Sequence, residues 1–137
     1  MHRIFFKVAA SFAALAVVIG AMGAHLLKNV LDPAGVESIK TAAYYQLTHS
    51  IALLIVGMMF RHYANKKMIY SGFAFILGII FFSGSIYLMV ALNEMGLELA
   101  KIVAYFTPLG GLLFISGWIL MVLGIPQRGG YVKGEDS

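Results

Sequence analysis

Two histidines close or interrupt long apolar stretches of this 137-residue sequence, and they are the side chains there best able to do chemistry. His25 ends the first apolar run. His49 lies in Tyr44-Tyr45-Gln46-Leu47-Thr48-His49-Ser50, the most polar part of the second. An imidazole can ligate a metal or haem, relay a proton, or hydrogen-bond the head of a quinone or lipid. The competing reading is structural, a ring bonded to a Ser, a Tyr or a backbone carbonyl across a helix bundle. Both readings stand for His49. His25, nearer the interface, reads first as structural, and the several residues of depth between the two argue against both gripping one iron.

Other polar side chains fall at the same level. Tyr45 and His49 share a helix face at a spacing of four, Gln46 and His49 at three. Ser83, Ser85 and Tyr87 fall in a third apolar run, and Thr107 begins a fourth. Polar groups inside spans are costly unless they face one another, so convergence into a candidate polar site of His25, Tyr45, Gln46, His49, Ser83, Ser85, Tyr87 and Thr107 is expected.

Several chemistries are excluded. No acidic residue lies within the spans to orient a histidine behind Ser83 or Ser85, and Ser-Gly-Ser on a helix more often marks close packing. The chain lacks cysteine, and with it any thiolate metal site, disulfide or cysteine nucleophile. Walker, dinucleotide-binding and His-Glu-x-x-His motifs are absent. No catalytic residue and no metal site is therefore assigned, and no cofactor is expected, with haem or quinone as the alternative.

The elements that must position these groups are membrane helices. Hydrophobic residues make up 61% of the chain and charged ones 12%, too lopsided for a soluble core. Apolar runs at about residues 8–27, 41–60, 68–92 and 106–125 are each long enough, at about 20 residues or more, to cross the hydrocarbon. The first follows a basic start, but Met22 falls where signal cleavage needs a small residue, so a retained span is expected. Asp32-Pro33 resembles a helix cap and first position, opening a short segment along the interface before the second span. Thr107-Pro108 has the same form at the start of the fourth. Residues 126–137, rich in Gly and charge, read as a loose tail.

The fold class is therefore all-α, an integral membrane four-helix bundle with a short interfacial helical segment between helices one and two. Seven of the ten Lys and Arg residues (Arg3, Lys7, Arg61, Lys66, Lys67, Arg128, Lys133) fall on one side, against Lys28, Lys40 and Lys101 on the other. The positive-inside rule then puts both termini in the cytoplasm. The net charge of +4 flanks the spans and does not imply nucleic acid. Small residues give contact faces where helices approach closely: Ala9, Ala13, Ala16, Gly20 and Ala24 on the first helix, Gly110, Gly117 and Gly124 on the fourth.

In chain order, Gly20-Ala21-Met22-Gly23-Ala24-His25, the Tyr44 to Ser50 stretch, Phe82-Ser83-Gly84-Ser85-Ile86-Tyr87, Thr107-Pro108-Leu109-Gly110-Gly111 and Gly117-Trp118 resemble the YgdD/YwdK family of small bacterial membrane proteins. That family, domain of unknown function 423, has a eukaryotic relative in transmembrane protein 256. The resemblance runs from about residue 5 to 123; Met22, where Phe is common in the family, is a mild departure. It implies a four-span membrane protein and supplies no agreed reaction, substrate or cofactor.

The expected role is a non-enzymatic accessory or membrane-integrity factor of the bacterial cytoplasmic membrane. Its partners would be lipids, and another membrane protein or a second copy. The alternative is a small-molecule protein binding a quinone, haem or transported solute through the outer polar cluster. The charge asymmetry makes a direct prediction, simplified by the absence of native cysteine. In intact cells a single cysteine at Glu98 should react with an impermeant maleimide, and one at Lys66 should react only after the membrane is opened; the reverse pattern would invert the topology.

Overall fold

The computed structural model describes residues 1–126, and among these all regular structure is helical. Helix α1 is His2–His25, followed by a 3-10 turn at Leu27–Asn29. Helix α2 is Pro33–Phe60, and α3 is Lys66–Ile79. A π turn, Ile80–Gly84, leads into α4, Ser85–Glu94. Helix α5, Leu99–Ala104, and α6, Phe106–Gly124, are the last elements among the described residues. Four helical stretches are long and apolar enough to cross a membrane: His2–His25, Pro33–Phe60, Lys66–Glu94 and Leu99–Gly124. Apart from Pro126, the tail expected from residue 126 onward lies outside the described residues.

Local chemistry sets the ends. Asp32 Oδ1 accepts the Gly35 N–H at 2.7 Å, and Pro33 occupies the first helical position. Asn65 Oδ1 caps α3 through the Met68 N–H at 3.1 Å, while its Nδ2 donates to the carbonyl of Gly124 at 2.8 Å, tying the start of α3 to the end of α6. Helix α4 stops where Gly96 takes a φ of 68°, which lets the Leu97 N–H reach back to Leu92 O at 3.0 Å.

Three sequence expectations change. The first span begins at His2, because Phe5 is buried and anchors the first turn. The segment expected along the interface is the opening of α2 itself, continuous with the span, since no Gly or Pro follows Gly35 until Gly57. Thr107 does not cap the fourth span: helix resumes at Phe106, after α5. Pro108 has no N–H for the carbonyl of Ala104, four residues back, and the break between α5 and α6 falls there.

The helices pair as two antiparallel hairpins, α1 with α2 and α3 with α6, joined through α2 and α3. The second hairpin is a size-complementary seam. A Cβ on Gly124 would meet Met68, one on Gly117 would meet Phe75, and one on Gly110 would meet the backbone of Phe82. Large residues on α3 and the π turn thus repeat every seven positions, and so do the glycines opposite, in antiparallel order. Between these layers the sizes exchange sides, and Phe114 of α6 lies against Gly78 of α3. Ser85 and Thr107 continue the same register one layer further along with a hydroxyl pair at 2.7 Å. Such knobs into holes maximise close contact where lipid offers no hydrophobic drive between helices.

The first hairpin uses smaller groups. Ala9, Ala16 and Gly23 are buried at heptad spacing, with Gly23 against Ile39 and Gly20 against Ala43. The small stripe read from the sequence is present, with Gly23 rather than Ala24 at its tightest point. Phe5 also links the hairpins, its ring fully buried against Gly72 of α3 and its Cβ beside Gly57 of α2. Helices α1 and α6 each leave most of their surface exposed, including Leu15, Val17 and Val18 on one and Leu112, Ile115 and Ile119 on the other.

Gly110 and Gly111 provide a paired test. Alanine at 110 would press on the Phe82 backbone, which cannot move aside, whereas at 111 it would meet only the Phe82 ring at 3.9 Å. In a detergent unfolding titration Gly110→Ala should lose about 1–3 kcal/mol and Gly111→Ala about 0.5 kcal/mol or less. Equal losses would remove the seam from the account of stability.

Candidate functional site

The predicted polar residues converge in part, and mostly onto one another. Gln46 is 2% exposed, at the meeting of three helices. Its Nε2 donates to the carbonyl of Phe12 on α1 at 2.8 Å, and its Oε1 accepts from the Tyr87 hydroxyl of α4 at 2.9 Å. A helical carbonyl keeps a second lone pair, so Phe12 can accept this bond without leaving its helix.

Ser83 and Ser85 act similarly. The Ser83 hydroxyl is fully buried and donates to the carbonyl of Ala42 on α2 at 2.8 Å. It lies in the π turn, where the usual backbone pairing slips by one residue. Ser85 Oγ lies 2.9 Å from Phe82 O and 2.7 Å from Thr107 Oγ1, so it links that turn to α6. Two further staples were not expected from the sequence: Ser71 donates to Gly117 O at 2.8 Å, and Ser50 to Gln46 O at 2.6 Å. Among the described residues no enclosed side-chain nitrogen or oxygen lacks a partner.

His49 differs from the rest. Its Nδ1 lies 2.8 Å from the carbonyl of Tyr45 one turn back. A carbonyl can only accept, so Nδ1 carries the hydrogen, and in the uncharged ring Nε2 is left as an acceptor. The ring stacks on Phe114 with centroids 3.5 Å apart and planes 8° from parallel. Tyr45, Phe75 and Trp118 complete an aromatic surround at 5.9, 5.8 and 6.2 Å. The α6 members, Phe114 and Trp118, stand four apart on one helix face, a spacing that could have flagged them.

His25 is not part of this assembly. It is exposed at the end of α1 and has no hydrogen-bond partner among the described residues. Tyr45 contributes its carbonyl and ring, while its hydroxyl has no partner among the described residues. The two histidines do not converge on a shared ligand position, and no group of three His, Cys, Asp or Glu able to hold a metal occurs among the described residues. At the end of the bundle where α2 begins lies an open groove of about 600 Å³ between α2, α4 and α6, lined by Ser38, Thr41, Ile86, Met89 and Thr107 among others.

The model of a protein family described as "protein of unknown function (DUF423)" matches residues 19–111, well over half of the chain. The chain belongs to this family. All eight candidate polar residues fall within the matched stretch, whereas Phe114 and Trp118 lie beyond it. A UPF0382 membrane protein of Staphylococcus aureus is 36% identical over 121 residues, covering 88% of this chain and 93% of its own. A UPF0382 membrane protein of Schizosaccharomyces pombe is 37% identical over 118 residues, with coverage of 85% and 97%. The UPF0382 inner membrane protein YgdD of Escherichia coli is 32% identical over 108 residues, with coverage of 79% and 78%. No solved structure matches significantly.

The Gln46–Tyr87 bond can be weighed by a double-mutant cycle. Tyr87→Phe leaves Gln46 Oε1 without its donor and should cost about 1 kcal/mol. Gln46→Leu breaks two interhelical bonds at once and should cost more. The coupling between them should fall at about 0.6–1.7 kcal/mol, the range for hydrogen bonds between membrane helices; strictly additive losses would mean that the bond does not hold in the bilayer.

Proposed function

We propose that this protein is a non-enzymatic component of the bacterial cytoplasmic membrane, an accessory or membrane-integrity factor that engages lipid or a partner membrane protein. The observation that carries this reading is the use of the buried polar side chains. Gln46, Ser71, Ser83, Ser85 and Tyr87 bind backbone or one another across the bundle, and Ser50 is taken by the carbonyl of Gln46 in its own helix, which makes them fasteners of the fold. A catalytic centre needs groups held ready for a substrate, and these are already engaged.

The surfaces left for interaction are the lipid-facing sides of α1 and α6, long and apolar. In this reading both termini lie in the cytoplasm, and the opening of α2 lies at the headgroup level, with Glu37 and Lys40 exposed and Val36 and Ile39 turned inward. The name of the Escherichia coli relative, an inner membrane protein, supports the same location. A second copy of the chain remains among the partners that such faces could accept.

The test is turnover. The purified protein in lipid nanodiscs, supplied in turn with phospholipid and quinone substrates, should convert none above a protein-free control, and His49→Ala should behave identically. Turnover by the wild type that disappears in His49→Ala would overturn the non-enzymatic reading.

A further inference from the structure

His49 is 6% exposed and makes one hydrogen bond, through Nδ1. Because no enclosed side-chain nitrogen lacks a partner among the described residues, Nε2 must belong to the small part of the ring that reaches the surface. Two of the rings around it, Phe75 and Phe114, are buried, whereas Tyr45 and Trp118 are each 38% exposed. The exposed members of the surround are thus Tyr45 of α2 and Trp118 of α6, on the face of the bundle between those two helices. The indole N–H of Trp118 also has no partner among the described residues.

Depth determines what can reach this nitrogen. His49 lies near the middle of the apolar part of α2, counted from Thr41 to Phe60. At that level acyl chains offer no donor, and an acceptor left unmade there costs about 1–3 kcal/mol. Phospholipid headgroups stay at the interface, so a membrane-dissolved ligand that donates here carries a polar group that itself dissolves in hydrocarbon. An aromatic hydroxyl fits: its O–H satisfies Nε2, its oxygen can accept from an indole N–H, and its ring can stack in an aromatic surround. The groove beside the start of α2 offers room for substituents, since Thr41, in its lining, is one helical turn from Tyr45 on α2.

We propose that His49 anchors a ligand site on the α2–α6 face for a membrane-dissolved hydroquinone, with Nε2 accepting a phenolic hydroxyl and Trp118 beside it. The site binds the reduced, O–H-bearing form in preference to the oxidised quinone, which has no hydrogen to donate. Binding without turnover is sufficient, so the proposal stands apart from the outcome of the substrate assay above.

The experiment uses the full chain, labelled with ¹⁵N-histidine, in nanodiscs of synthetic phosphatidylcholine free of quinone. Decylubiquinol is added under argon, with decylubiquinone in parallel. Solid-state NMR should show the His49 Nε2 resonance moving on addition of the quinol while Nδ1 stays protonated. Fluorescence of Trp118, the one tryptophan in the chain, should report saturable binding. His49→Phe keeps an aromatic ring for stacking and removes the acceptor, so it should weaken quinol binding roughly tenfold, the worth of one hydrogen bond. Ser116→Ala, an exposed residue bonded only to Leu112 O, should bind as the wild type does. An Nε2 resonance unmoved by saturating quinol overturns the proposal, even if His49→Phe fails to fold. Equal affinity for quinol and quinone, or for wild type and a folded His49→Phe, overturns it as well.

Discussion

The close approach of α3 and α6 is the contact on which the rest of the bundle depends. Within hydrocarbon, apolar side chains gain nothing by leaving solvent for one another, so helices hold together through surface fit and through bonds made nowhere else. The α3–α6 seam supplies the fit, with Phe82, Phe75 and Met68 opposite Gly110, Gly117 and Gly124, and the sizes exchanged at Gly78 and Phe114. A shift by one layer would set Phe75 against Phe114, so the seam fixes both the rotation and the axial register of the two helices. Individual hydrogen bonds between membrane helices average about 0.6 kcal/mol, less than the cost of overfilling one such contact. Packing sets the register and the polar bonds secure it.

That register places the polar groups. Once Phe82 lies against Gly110, Ser85 reaches Thr107 on one side of the π turn, while Ser83 meets the carbonyl of Ala42 on the other. The π turn is thus shared between α6 and α2, and the second hairpin is fastened to the first. Gln46 completes the link by spanning from Phe12 on α1 to Tyr87 on α4. Phe114, fixed by Gly78 on one side, presents its ring to His49 on the other. The orientation of the buried imidazole of His49 is in this way a consequence of glycine packing on a different pair of helices.

Stability and function are separated along these lines. The hydroxyls and the amide are bonded within the fold, and on the proposed reading what remains for the surroundings is the exposed apolar faces of α1 and α6, the groove beside the start of α2 and the edge of His49. This division suits a protein in which a water-free environment makes every unsatisfied polar atom costly.

The sequence by itself determined the span count, the small-residue stripes and the family, because run length, residue size and motif order are local properties. It also marked Gln46, His49, Ser83, Ser85, Tyr87 and Thr107 as polar groups at a common level. It could not give their partners. Most of the acceptors are backbone carbonyls, of Phe12, Ala42, Tyr45 and Phe82, which every residue carries and no pattern marks. His25 was grouped with the others by depth alone, and depth does not give the direction a side chain faces; the structure leaves it exposed. Thr107 was read as a cap from its place before Pro108, yet its hydroxyl is taken by Ser85, a residue brought near only when α3 and α6 pair. Only tertiary structure decided which polar groups satisfy one another and which nitrogen does not, because that depends on the register between helices distant in sequence.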